Sequence, residues 1–118
     1  MSTILIVDDE QPIRNMVSFA LGRAGFASCE AADAEQAYAE IERQRPELIL
    51  MDWMLPGTSG LDIVRRLQRD IHTQDIPVIM LTARTEENDK ITGFKAGIDD
   101  YISKPFSPVE LIARIQAV

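Results

Sequence analysis

A chain of 118 residues, 46% of them hydrophobic, has room for one packed core and none for a second domain. Its formal net charge of −7 argues against direct contact with nucleic acid, which needs clustered cations, and favours a cation or a basic protein face as partner. The single cysteine, Cys29, cannot form an internal disulfide, and neither a signal-peptide pattern nor an apolar run of about 18 residues is present, so the expectation is a soluble, cytoplasmic protein with no membrane partner.

The run Thr3 to Val7 reads as a strand buried on both faces, and Asp8, Asp9 and Glu10 follow it at once. Ile13, Met16, Val17, Ala20, Leu21 and Ala24 then have helical spacing, with Pro12 suited to the first turn and Gly25 to the stop. Phe26 to Glu30 predicts a short second strand. Asp33 and Gln36 predict a capping box opening a helix through about Gln44, on a thin stripe of Ala34, Ala37 and Ile41. The third strand, Leu48 to Met51, ends abruptly in Asp52 and a Pro56-Gly57 turn.

Ser59 and Asp62 form a second capping pair, for a helix with Leu61, Val64, Leu67 and Ile71 at helical spacing. His72 to Asp75 is a connecting loop. Pro77 to Thr82 is the fourth strand, and the helix after it, from about Glu86 to Ala96, is mostly polar, with Ile91 and Phe94 as its anchors and Gly97 as its stop. So few anchors make it the helix easiest to shift. Asp99 to Ser103 is the fifth strand. Lys104-Pro105-Phe106 follows, and Ser107, Pro108 and Glu110 combine an N-cap, a first-turn proline and a capping-box glutamate. That last helix turns Leu111, Ile112 and Ile115 inward, and no C-cap precedes Val118, so the expectation is that the chain ends inside it.

Five strands alternating with five helices predict an α/β protein with a five-stranded parallel sheet and helices on both faces, of flavodoxin-like (βα)5 type if the strand order is 2-1-3-4-5. In that order Asp8 and Asp9, Asp52, Thr82 and Lys104 end four different strands along one edge, where open α/β sheets bind ligands. Taken singly, Asp52 reads as a turn cap, Lys104 as a solvated strand-end charge and Thr82 as a β-former. Together they read as a site. Three carboxylates within a few ångströms repel unless a cation neutralises them, and Mg²⁺, a hard ion that takes few carboxylates and keeps several waters, suits the set. No Cys/His cluster suggests zinc, and His72 reads as a solvated surface residue. With a lysine and a hydroxyl facing it, Asp52 can serve as nucleophile toward a phosphoryl group.

The motifs Val7-Asp8-Asp9-Glu10, Met51 to Pro56, Leu81-Thr82-Ala83 and Lys104-Pro105-Phe106, in this order along the whole chain, resemble those of response-regulator receiver domains. Within that family Asp52 to Gly57, Gly97 to Tyr101 and Lys104 to Pro108 resemble the OmpR/PhoB group. The resemblance implies that Asp52 accepts a phosphoryl group from a sensor histidine kinase. Asp9 would ligate Mg²⁺ directly, Asp8 largely through water, and Asp52 and the Met54 backbone carbonyl would complete the protein ligands. Thr82, Ala83 and Lys104 would meet the phosphoryl group, Lys104-Pro105 would be cis, and Thr82 and Tyr101 would form the switch pair. Met54 and Arg84 would tune hydrolysis of the acyl phosphate, and Met54, unable to orient a water, predicts a long-lived phosphorylated state.

The resemblance also implies an output face on the fourth helix, fifth strand and fifth helix that makes a homodimer on activation. Lys90 would pair with Glu110 and Asp100 with Arg114 across the two-fold, around Ile91, Phe94 and Ala113, with Asp99 on the same face. Sequence alone reads these charges as solvated. Gln116 stands where the group often carries a cation facing Asp99, and Ile98 replaces a smaller residue. A DNA-binding winged-helix output domain outside this chain is the expectation, with a stand-alone receiver acting by protein binding as the alternative. A haloacid-dehalogenase-type phosphatase would need a second aspartate where Met54 stands, and no turnover activity beyond self-phosphorylation and slow autodephosphorylation is expected.

Overall fold

The computed structural model describes residues 2–83 and 87–118. Five parallel strands, β1 (Thr3–Val7), β2 (Ala27–Ala31), β3 (Leu48–Asp52), β4 (Val78–Thr82) and β5 (Asp100–Ser103), lie in the order β2-β1-β3-β4-β5. The helices α1 (Gln11–Arg23), α2 (Ala34–Arg43), α3 (Gly60–Gln68), α4 (Glu87–Ala96) and α5 (Pro108–Ala117) alternate with them. The expected fold class and strand order are therefore those of the molecule. Every residue of β1, β3 and β4 is buried, whereas the two edge strands carry exposed positions, as a sheet covered on both faces requires.

Strand alternation divides the core in two. Leu5, Val7, Ile49, Met51 and Met80 face one way, into Ala37 and Ile41 of α2 and Leu61, Val64 and Leu67 of α3. Ile4, Ile6, Leu50, Ile79, Leu81 and Ile102 face the other way, into Val17 and Leu21 of α1 and Leu111 and Ile115 of α5.

The helix starts follow from local hydrogen bonding. Asp33, Ser59 and Ser107 each cap a helix by accepting the backbone N–H three residues on, from Gln36, Asp62 and Glu110. At the end of α4, Gly97 takes φ +115°, a conformation that favours glycine. Its N–H and that of Ile98 return to the carbonyls of Phe94 and Gly93. Among the described residues no helix is long and apolar enough to cross a membrane.

Three expectations are corrected. Ile71 does not belong to the apolar stripe of α3: the helix ends at Gln68, and Ile71 is 75% exposed. Thr73 Oγ1 donates to the Leu67 carbonyl and Asp70 accepts the His72 N–H, so the chain turns before the stripe reaches Ile71. Met16, at the edge of the α1 stripe, is also exposed. Ile91 and Phe94 are not buried anchors of α4: both are exposed, Phe94 touching Tyr101 only edge-on, and among the described residues of that helix Gly93 is the buried one, against the Tyr101 hydroxyl. The expected start of α4 at Glu86 falls outside the described residues.

Candidate functional site

Parallel register builds the site. Val7 pairs with Met51, so Asp8 and Asp52 are neighbours one step further along β1 and β3; Thr82 pairs with Ser103, so Lys104 follows directly beyond them. Asp8 and Asp52 are buried and Asp9 is exposed, and one carboxylate oxygen from each lies within 4.8 Å of the others. Lys104 Nζ sits 3.1 Å from Asp8 Oδ2 and 3.4 Å from Asp52 Oδ1. Among the described residues, one ammonium faces three carboxylates there, an electronegative set.

Burial, then the neighbouring Asp8 charge, pushes the Asp52 carboxyl up to about 6; Lys104 and the Met54 N–H, which donates to Asp52 Oδ1, pull the other way. Burial alone would lower the Lys104 pKa, but the Asp52 and Asp8 carboxylates outweigh it and hold the ammonium above its usual range. Thus Lys104 stays charged and Asp52 is the group poised to titrate.

The loops are pinned from below. Asp8 Oδ1 accepts the Glu10 N–H at 2.9 Å, and the Asp8 carbonyl accepts from Arg14 Nη1 at 2.7 Å, while Arg14 Nε donates to Glu30 on β2. The Trp53 carbonyl accepts the Gly60 N–H, bringing α3 so close to β3 that a Cβ on Gly60 would fall on the Asp52 carbonyl oxygen. Neither Arg14 nor Gly60 stood out in the sequence. Glycine at a first helical position, where it has poor propensity, was the available signal.

Thr82 is buried at the end of β4, Ala83 follows it exposed, and the Lys104-Pro105 bond is cis. Met54 is exposed beside Asp52, and Arg84 lies outside the described residues. Tyr101 is buried: its hydroxyl donates to the carbonyls of Asp89 (2.8 Å) and Lys90 (3.2 Å), its ring stacks on Trp53 at 6.3 Å, and Phe94 meets it edge-on at 5.3 Å. Burial and the Asp89 charge raise its phenol pKa.

On the other flank, α4 and α5 border the edge strand β5, with Ile91, Phe94 and Ala113 exposed. Asp100 and Arg114, expected to meet across a two-fold, meet within the chain at 3.1 Å, and Arg114 also lies 3.6 Å from Glu110. Asp99 Oδ2 accepts the Val78 N–H at 2.8 Å, tying the start of β5 to that of β4.

Residues 4–116 match the model of the response regulator receiver domain. The chain is 60% identical over 116 residues to the phosphate regulon transcriptional regulatory protein PhoB of Pseudomonas aeruginosa, and 55% identical over 115 residues to that of Escherichia coli, covering 98% of this chain in each case. It covers 51% and 50% of those proteins, so it spans about half the length of the curated relatives it matches. Among solved structures, the chemotaxis response regulator CheY4 of Vibrio cholerae superposes with a TM-score of 0.94 at 32% identity, over 99% of this chain and 98% of that one.

Proposed function

The chain belongs to the response regulator receiver domain family, as the receiver of a PhoB-like two-component regulator, and from that premise we propose that Asp52 is its phosphoacceptor. An Asp52 carboxylate oxygen forms the new P–O bond as the P–N bond of a phosphohistidine on a sensor histidine kinase breaks; the imidazole keeps the bonding pair and regains a proton from solvent. A small acyl phosphate serves as an alternative donor. The observation that carries this reading is the Lys104 ammonium shared between two buried aspartates at the ligand-binding edge of the sheet.

Three hard oxygen donors within 4.8 Å fit Mg²⁺, which Asp9, Asp52 and the Met54 carbonyl would hold directly and Asp8 largely through water. When bound, the ion supplies charge neutralisation at the phosphoryl oxygens. Lys104 holds a second positive charge within reach of the group on Asp52, and the Thr82 hydroxyl and the Ala83 backbone line the same place. Thr82 and Tyr101 act as the switch pair, and Met54 and Arg84 set the rate of hydrolysis. Met54 offers no group to orient water, which supports a long-lived acyl phosphate; release of phosphate within seconds would contradict it.

Activation turns the α4-β5-α5 face, with Lys90, Ile91, Phe94, Asp99, Asp100, Glu110, Ala113 and Arg114, toward a homodimer. That dimer controls a DNA-binding output domain of the same cytoplasmic protein, whose target is a phosphate regulon. The likeness to PhoB over half the length of those relatives supports this reading. No turnover beyond self-phosphorylation and slow self-hydrolysis belongs to it.

The test is intact-protein mass after incubation with Mg²⁺ and acetyl phosphate. A single phosphoryl increment, absent from Asp52→Asn and from a chelated sample, is expected; its persistence in Asp52→Asn would remove Asp52 as acceptor.

A further inference from the structure

Gly93 has no backbone reason to be glycine. The glycines at positive φ are Gly25, Gly57 and Gly97, whereas Gly93 lies inside α4, where glycine costs stability relative to alanine. Its reason is spatial. A Cβ built on Gly93 would fall on the Tyr101 hydroxyl oxygen, and would stand 2.7 Å from Ile98 Cδ1 and 2.9 Å from Tyr101 Cζ.

Of these neighbours the Ile98 methyl is the end of a flexible chain and can give way. The phenol is held: its hydroxyl donates to the Asp89 and Lys90 carbonyls, Trp53 stacks on its ring and Phe94 closes the edge.

We propose that Gly93 is a positioning residue for Tyr101: its missing side chain is the seat in which the phenol lodges, and any side chain at 93 drives the ring away from α4. The functional half of this inference rests on the reading of Asp52 as phosphoacceptor and Tyr101 as switch. Trp53 follows Asp52 directly and stacks on the seated ring, so the seat is where the acidic edge is mechanically joined to α4. With the seat filled, phosphorylation of Asp52 proceeds but no longer reaches the α4-β5-α5 face.

The experiment compares wild type with Gly93→Ala, each also in a Tyr101→Phe background, and labels the two tyrosines with 3-fluorotyrosine. The ¹⁹F resonance lost in Tyr101→Phe is that of Tyr101, and Tyr38 is the internal control. Expected is a Tyr101 signal shielded from a soluble paramagnetic agent in wild type and broadened severalfold more in Gly93→Ala, with Tyr38 unchanged. Thermal unfolding supplies an independent readout. Gly93→Ala lowers Tm by about 4–8 °C, and at least half of that loss disappears in the Tyr101→Phe background, because the overlapping oxygen is gone.

Equal protection of Tyr101 in both proteins, or equal Tm losses in both backgrounds, overturns the seat. Intact mass after acetyl phosphate and Mg²⁺, and sedimentation of the same samples, separate the two halves. A normal phosphoryl increment with dimerisation weakened at least tenfold supports the coupling. Displacement of Tyr101 with undiminished dimerisation overturns the coupling while the seat stands, and failure of wild type itself to take up phosphate sinks the underlying assignment of Asp52 instead.

Discussion

Lys104 and Asp8 stand 96 positions apart in the chain and 3.1 Å apart in space. The contact closes the open edge of the sheet from strand β5 to strand β1, across the ends of the two strands between them, and it leaves Asp52 as the second carboxylate on the same ammonium.

Removing that ammonium leaves two buried carboxylates without a counter-charge. Lys104→Met is expected to lower unfolding free energy by about 2–3 kcal/mol at pH 7 in chelated buffer, a value below that of a fully buried pair because Lys104 is partly exposed. Urea unfolding at pH 7 and pH 5 checks the cause. The deficit shrinks at pH 5, where Asp52 is protonated, and shrinks at pH 7 when Mg²⁺ is added; a deficit indifferent to both would point to lost packing.

The raised Asp52 pKa has a definite sign. Between its unfolded value of 3.8 and its folded value of about 6, the native state holds a proton that the unfolded chain has lost, so this group's contribution to stability grows as pH falls through that window. An aspartate whose partners hold its folded pKa below the unfolded value does the reverse. In metal-free protein the ¹³C carboxyl shift of Asp52 should titrate near 6, lower in Asp8→Asn and higher in Lys104→Met. The rate of phosphorylation by acetyl phosphate, limited by the ionised form, falls about tenfold per pH unit below the midpoint, and Mg²⁺ moves that midpoint down.

Gly60→Ala tests the contact between α3 and β3. Alanine is the better helix former by about 1 kcal/mol, yet its methyl would meet the Asp52 backbone, which has no rotamer with which to retreat. A net loss of about 1–3 kcal/mol by urea unfolding is expected, with slower phosphorylation. A stabilised variant would mean that the helix can withdraw from the strand at no cost.

Arg14 supports the site without joining it. It donates to the Asp8 carbonyl and is held by Glu30, so Arg14→Met frees the loop that carries two carboxylates. Outer supports of this kind typically matter by about tenfold or more in metal affinity. Isothermal titration with Mg²⁺ should find that loss in Arg14→Met and a smaller one in Glu30→Gln; unchanged affinity in both would assign Arg14 to loop structure alone.

The sequence was most legible where chemistry is local. Asp33, Ser59 and Ser107 announced their helices, and the β-α alternation implied a parallel sheet with Asp8, Asp52, Thr82 and Lys104 on its carboxyl edge, whereas the strand order, which alternation alone leaves open, is read from the structure. It was least legible where the answer depends on which face of a helix is covered. Ile91 and Phe94 have the composition of anchors, but α4 approaches the sheet through a glycine, and hydrophobic spacing gives a glycine no weight. Ile71 continued a helical stripe that Asp70 and Thr73 cut short. The Arg14 to Glu30 link and the intrachain Asp100 to Arg114 pair join elements separated in sequence, and charges on helix surfaces offer many equivalent pairings until the fold selects one.

The sheet's alternation has one more result. The apolar cluster against α1 and α5 is distinct from the one that holds Trp53 and Tyr101, and the sheet lies between them. Mutational drift on that side can raise or lower the melting point of the whole domain while leaving the aromatic stack untouched. The aromatic stack and the packing beneath α1 thus sit on opposite faces of one sheet, where each can be retuned with little effect on the other.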